Sequence, residues 1–330
     1  MSKMPVVFAG CDYDRVRALI DGRIRPDGID LNYLALPGEE VFYRMLRHRE
    51  FDAAEVSFSS YLVSKSLPEQ PFVAIPVFPS RAFRHSCIYV NTASGIERPE
   101  DLAGKRVAAP EYQMTAGLWI RGILSDEYGV PVESMRHFTG GEEQPGRPEK
   151  VKLSLPETIR IEPIGEDQTL STMLEKGEID ALFAPRAPSS YARNPAKVRR
   201  LFEDYKSAEQ DYFRRTSIFP IMHTVVIRRA LYERHPWIAM SLFKAFTQAQ
   251  AIAYADLKEI GLLSTMLPWL VENAEEVRRL MGEDFWPYGL ERNRKTLETF
   301  ARYSHEQGLS PRMYAPEDLF APETLDEYRV

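Results

Sequence analysis

This 330-residue chain reads as an α/β protein of two lobes, each a mixed sheet flanked by helices, and three observations carry that reading. Short apolar, β-branched runs alternate with amphipathic helical stretches, which is the signature of α/β units. The length suits two lobes of roughly 150 residues each. One pattern also occurs twice: amphipathic helix, acidic residue, apolar residue, Asp-Ala, then a short apolar strand opening into a loop of small residues. It runs through Glu50–Val56 into Ser57–Ser60, and again through Glu178–Ala184 into Pro185–Ser190, as one α/β unit used once per lobe.

Pro5–Gly10 reads as the first strand and delivers Cys11-Asp12-Tyr13-Asp14 to a strand end. A short helix over Arg15–Ile20, a turn at Asp27-Gly28 and an alternating strand over Ile29–Leu34 follow. Pro37 opens the next helix, with Glu39 and Glu40 at its positive end and Val41, Phe42, Met45 and Leu46 on one face. Phe72–Phe78, Cys87–Val90 and Gly104–Ala109 are apolar strands, and Gln113–Leu124 is a helix carrying Trp119 and Arg121. The polar stretch Thr139–Glu149 has a mobile composition and reads either as a lid bearing Arg147 or as a plain solvent loop. Ile218–Ile227 is a β-branched strand with His223 inside it. Helices then run from His235 to about Leu257, over Trp269–Met281 and over Glu291–Glu306, the last closed by Gly308. They are expected to bury Trp237, Trp269 and Trp286. These elements place residues 1–95 and 200–330 in the first lobe and 96–199 in the second.

Composition narrows the function. A net charge of −6 leaves no basic stripe to replace phosphate counterions, so nucleic acid is not an expected partner. Cys11 and Cys87, the two cysteines, make neither a disulfide framework nor a zinc spacing and suit a reducing compartment. The apolar run before Cys11 is shorter than an export signal needs, and no run of 18 apolar residues is present to span a membrane. A cytoplasmic location is the expectation. The residues are compatible with a homo-oligomer without specifying one.

Cations and histidines in apolar sequence point to the chemistry. Arg81, Arg84 and His85 lie between the runs Phe72–Phe78 and Cys87–Val90, where unpartnered charges are costly to desolvate. Arginine grips carboxylates bidentately and histidine moves protons near neutral pH, so these residues suit a pocket for a small carboxylated molecule. His223 shares the apolar setting, whereas His48, His137, His235 and His305 read as solvent-facing or capping residues. Glu55 ends an apolar strand and either orients a histidine, accepts a phenolic proton or caps the following helix. Asp12 and Tyr13 follow the first strand, and Ser57 heads the first small-residue loop. Gln113 and Thr115 belong to the corner Ala109–Thr115, whose free N–H groups form an anion seat. Together with Arg147 these five are candidate ligand contacts. The metal set the residues allow is His85, His223 and Glu55, but no His-x-x-x-His spacing supports it, and no metal or other cofactor is expected. Phosphate-binding loops, Gly-x-Gly-x-x-Gly and a nucleophile elbow are missing, which removes nucleotide and serine-hydrolase readings.

Several segments taken together resemble the 4,5-dihydroxyphthalate decarboxylase family, over nearly the whole chain. They are Ala9–Arg15, Phe42–Asp52, Ile75–His85 with its Ser-Arg-Ala-Phe-Arg-His motif, Tyr112–Ala116, Phe219–Thr224 and Asp284–Gly289. The resemblance implies a type II periplasmic-binding-protein-like fold with the ligand in a cleft between lobes. It also implies conversion of 4,5-dihydroxyphthalate to 3,4-dihydroxybenzoate and carbon dioxide, as in aromatic catabolism. On that chemistry Arg81, Arg84 and Arg147 hold the retained carboxylate, His85 or His223 protonates the ring carbon, and Glu55 or the other histidine accepts the phenolic proton. The competing expectation is a non-catalytic solute-binding protein for a small aromatic carboxylate, since one fold hosts several functions.

Overall fold

The computed structural model describes residues 3–151 and 153–325. In chain order its elements are β1 (Met4–Gly10), α1 (Asp14–Ile20), β2 (Ile29–Ala35), α2 (Gly38–Tyr43), β3 (Ala53–Ser57), α3 (Phe58–Lys65), β4 (Phe72–Ile75), β5 (Ile88–Asn91), β6 (Arg106–Ala109), α4 (Thr115–Tyr128), β7 (Arg136–Thr139), β8 (Ile161–Pro163), α5 (Leu170–Lys176), β9 (Ala181–Phe183), β10 (Val198–Arg200) and β11 (His223–Arg228), with further helices at Ser189–Arg193, Tyr205–Thr216 and Arg229–Arg234 and shorter turns between. Long helices follow at Trp237–Asp256, Leu270–Met281 and Arg294–Glu306.

The chain forms two compact units. The first comprises Met1–Arg81, Ile221–Glu298 and Tyr314–Val330; the second comprises Ala82–Pro220 and Thr299–Met313. Residues 82–95, 200–220 and 299–313 thus fall with the second unit, not the first as the sequence suggested. The cause is strand pairing: β5 bonds β9 and β10 in the second sheet, which pulls the preceding segment with it.

The first unit's sheet has the order β2-β1-β3-β11-β4, with β1, β2 and β3 parallel and β11 antiparallel to both neighbours. The second has the order β10-β5-β9-β6-β7-β8, again parallel in its middle with β5 reversed. The repeated Asp-Ala pattern has one physical role in both. Asp52 exchanges bonds with Val7, accepting its N–H at 2.9 Å, and also binds Arg228. Asp180 does the same with Arg106, accepting its N–H at 2.8 Å and its guanidinium. Each aspartate fixes the register of an inner strand against its neighbour. Three residues further on the copies diverge: Glu55 in the first sheet stands where Phe183 stands in the second. The scaffold therefore does not demand a carboxylate there.

The tryptophans correct an expectation. Trp119 is fully buried, but Trp237 and Trp269 are exposed, the latter by 69%, and Trp286 is half-buried. Trp237 and Trp269 sit at or just before helix starts, where the side chain precedes the buried stripe. The strand expected over Ile218–Ile227 is confined to β11, since Pro220 has no N–H to give a ladder.

Candidate active site

Glu55 and His223 meet because of sheet register. In the antiparallel pair β3–β11, His223 lies opposite Ser57 and Val225 opposite Glu55. Side chains alternate along a strand, so Glu55 and His223 occupy one face as diagonal neighbours. His223 Nδ1 lies 2.6 Å from Glu55 Oε1. The carboxylate is only 1% exposed, whereas the imidazole side chain is 21% exposed. Phe42 packs edge-on against the ring at 4.7 Å between centroids. Among the described residues Nε2 has no hydrogen-bond partner.

The remaining valences of Glu55 are filled from the first strand's end. Tyr13 donates its hydroxyl to Oε1 at 2.9 Å, and the Cys11 N–H donates to Oε2 at 3.0 Å. Tyr33 donates to the Cys11 carbonyl at 2.8 Å, holding that turn in place. Gly10 is required by space: a Cβ there would stand 2.8 Å from the Tyr33 hydroxyl and 3.5 Å from Glu55 Oε2. Burial opposes ionisation of Glu55, yet the bonds from His223, Cys11 and Tyr13 hold its carboxyl below the usual carboxylate range. The same buried charge works on its neighbours. Burial and then Glu55 push the Tyr13 phenol up and the Cys11 thiol to about 12, so both stay protonated at neutral pH. Cys11 also meets the carboxylate through its backbone N–H.

Of the other residues singled out in the sequence, Ser57 stays at the site, opposite His223 on β3, and the rest are engaged with other partners. Arg81 belongs to the first unit, where its guanidinium donates to the Pro287 carbonyl at 2.7 Å and to Asn293 Oδ1; burial pushes it down to about 9. Arg84 and His85 belong to the second unit. Arg84 donates to Cys87 Sγ at 3.4 Å. His85 is 2% exposed, ringed by Tyr128, Phe202 and Tyr212, with neither ring nitrogen bonded, and burial lowers its pKa to about 4. Arg147 pairs with Glu111 at 2.7 Å, and Lys150 bonds the same oxygen. The expected anion seat at the head of α4 is filled by the chain itself: Glu149 accepts the Tyr112 N–H, and buried Gln113 accepts from Lys150 and Val151 N–H at 3.1 and 3.0 Å. Thr115 is buried at the start of α4, and Ser57 is buried just before α3. Asp12 is exposed and pairs with Arg17 at 2.8 Å. His137, expected at the surface, is 4% exposed and bonds the Val132 carbonyl.

The set His85, His223 and Glu55 is therefore not assembled as a metal site. Both Glu55 oxygens are engaged in the first unit, while His85 has its own aromatic surroundings in the second. Among the described residues no group of three or more His, Cys, Asp or Glu side chains is placed to hold a metal ion.

Phe42, Tyr33 and Arg15 are not among the sequence candidates, and neither is Trp286, expected only to be buried. Arg15 is stacked over Tyr13 at 4.0 Å and over Trp286 at 4.3 Å, and its Nε donates to the Pro79 carbonyl. The local signal was faint: an arginine in the first turn of a short helix is usually a solvated side chain. Tyr13→Phe tests the network. It is expected to lower kcat by about tenfold, as for one charge-assisted hydrogen bond. KM should change less than about threefold, since the bond positions Glu55 and not the substrate. An unchanged kcat in a folded variant would leave Tyr13 with a merely structural role.

No family model matches the chain. Solved structures of similar fold include the periplasmic aliphatic sulphonate binding protein SsuA of Escherichia coli, with TM-score 0.54 and 12% identity over 98% of this chain and 99% of that one. The alkanesulfonate-binding protein SsuA of Xanthomonas axonopodis pv. citri gives 0.52 and 13% over 98% of both. At such identities they establish a periplasmic-binding-protein fold and nothing more. No helix among the described residues is long and apolar enough to cross a membrane. Sequence relatives are far nearer. A 4,5-dihydroxyphthalate decarboxylase of Comamonas testosteroni is 42% identical over 330 residues, 100% of both chains. One of Pseudomonas putida is 42% identical over 217 residues, 66% of this chain and 84% of that one. Full-length identity at that level makes this chain a member of the 4,5-dihydroxyphthalate decarboxylase family.

Proposed function

We propose that this protein is a carboxy-lyase that converts 4,5-dihydroxyphthalate to 3,4-dihydroxybenzoate and carbon dioxide, with His223 as proton donor. The observation that carries the assignment of roles is the Glu55–His223 pair: a buried carboxylate bonded to Nδ1, and Nε2 unengaged on a partly exposed ring. The substrate supplies its own electron source, so the reaction calls for no organic cofactor. Each hydroxyl lies para to one carboxylate. When the phenol loses its proton to solvent, its electron pair enters the ring, and the para carbon takes a proton from His223 Nε2. That carbon becomes tetrahedral and the opposite oxygen becomes a ketone. The C–C bond to the carboxylate then breaks, its pair restores the aromatic ring, and carbon dioxide departs. The phenolate and His223 each regain a proton from solvent, so the cycle consumes one proton.

Glu55 contributes by stabilising the imidazolium and fixing its tautomer. Its oxygens are too engaged to serve as the phenolic base. The two decarboxylase relatives support this reading over a non-catalytic binder of the same ligand. A cytoplasmic site of action is supported by two free cysteines. The test is incubation with 4,5-dihydroxyphthalate, with and without a chelator, following both products by chromatography. 3,4-Dihydroxybenzoate and carbon dioxide in equal amounts are expected. Thermal stabilisation by the ligand with no product would instead favour a binding protein.

A further inference from the structure

We propose that Arg15 is the carboxylate-binding residue of this site, taking the substrate carboxylate that is retained. The inference rests on the reaction above only for which carboxylate it holds. Three features make Arg15 a preset anion holder. Its guanidinium lies over the faces of Tyr13 and Trp286, 4.0 and 4.3 Å from the ring centroids, so the plane cannot swing freely. Nε is committed to the Pro79 carbonyl, which fixes the direction of the fork. Nη1 meets Asp14 Oδ1 at 3.0 Å, but that aspartate side chain is 62% exposed and such surface pairs are weak. Nη2 has no partner among the described residues and is not sealed from solvent.

Its position is set by a single oxygen. Tyr13 and His223 both bond Glu55 Oε1, so the phenol and the imidazole are neighbours, and Arg15 covers the phenol's ring. Arg15 thus stands on the Tyr13 side of the Glu55–His223 pair. By contrast Arg81, Arg84 and Arg147, expected to hold the carboxylate, spend donors on Pro287 and Asn293, Cys87, and Glu111 respectively.

Electrostatics decides which carboxylate Arg15 holds. The departing group must lose its charge to leave as carbon dioxide, and a guanidinium on it would stabilise the ground state against that change. The retained carboxylate keeps its charge throughout. Arg15 thus favours 1,2-dicarboxylates, and the product, whose one carboxylate is the retained one, binds in the same place and inhibits competitively.

Phthalate, which lacks the hydroxyls and cannot react, is the probe for calorimetry. Arg15→Gln is expected to weaken phthalate binding and raise KM by about 10–100-fold, with kcat changed less than about threefold. Arg15→Lys should recover part of the binding, and catechol, which has no carboxylate, should bind the wild type and Arg15→Gln alike. Asp14→Asn, which leaves the guanidinium in place and removes its competitor, should bind phthalate at least as tightly as wild type. Phthalate affinity within twofold of wild type in a folded Arg15→Gln variant overturns the assignment, as does weaker binding by Asp14→Asn. If the wild type binds phthalate through Arg15 but turns over no 4,5-dihydroxyphthalate, the decarboxylase reading fails while the Arg15 assignment stands.

Discussion

Replacing His223 by Gln is expected to lower turnover of 4,5-dihydroxyphthalate by about 10²–10⁴-fold, the usual worth of a positioned general acid. Phthalate affinity should change by less than about tenfold, since the lost interaction belongs to the transition state. The variant keeps volume and a hydrogen-bonding head near Glu55 Oε1, so the buried carboxylate is not left alone. Glu55→Gln should cost a comparable factor, because a neutral amide no longer stabilises the imidazolium. The double variant should be hardly worse than either single one, as for residues acting as a unit. Single-turnover kinetics on the three proteins provides the check. Turnover within threefold of wild type in His223→Gln would remove His223 from the proton transfer.

His85→Phe is expected to stabilise the protein against acid and to leave turnover intact. His85 and His137 are both buried, and burial lowers each to about 4 from an ordinary 6.5; the charge of Arg215 adds to the effect on His85, and that of Arg121 to the effect on His137. The unfolded chain binds their protons first as pH falls, so unfolding takes up protons between 6.5 and 4. The stability each neutral ring supports is complete above pH 6.5 and is lost through that window. At pH 5 the loss is about 2 kcal/mol per histidine. Glu55 acts in a separate, lower window, since its folded carboxyl lies below 4.5 and its contribution disappears only on further acidification. Phenylalanine fits the ring formed by Tyr128, Phe202 and Tyr212 and removes two unbonded ring nitrogens. Urea unfolding at pH 7.5 and pH 5 should show His85→Phe losing about 2 kcal/mol less than wild type. If a folded His85→Phe protein loses turnover instead, His85 takes part in the chemistry.

The motif Ser-Arg-Ala-Phe-Arg-His shows how far sequence reaches. Costly side chains between apolar strands do mark a buried place, and Arg81, Arg84 and His85 are all buried. The inference from burial to a ligand pocket is the step that composition cannot carry. The chain leaves the first unit after Arg81, so the three residues serve two different cores. A guanidinium whose Nη2 is bonded to Pro287 and Asn293 has the same local sequence as one awaiting a carboxylate. Arg15 illustrates the converse: a first-turn arginine gains its meaning from Trp286 and Pro79, distant in the chain.

By itself the sequence determined the α/β character, the two sheets' repeated helix–Asp-Ala–strand unit, and Glu55 and His223 as chemical candidates. These are matters of period and residue type, which local sterics and hydrophobic burial translate directly into strands and helices. Tertiary structure alone decided which candidates meet. Whether a glutamate faces a histidine depends on the register of β3 against β11, and a slip of one residue would turn every side chain to the other face. Whether an arginine is a ligand group or a clasp depends on which carbonyls distant segments bring to it.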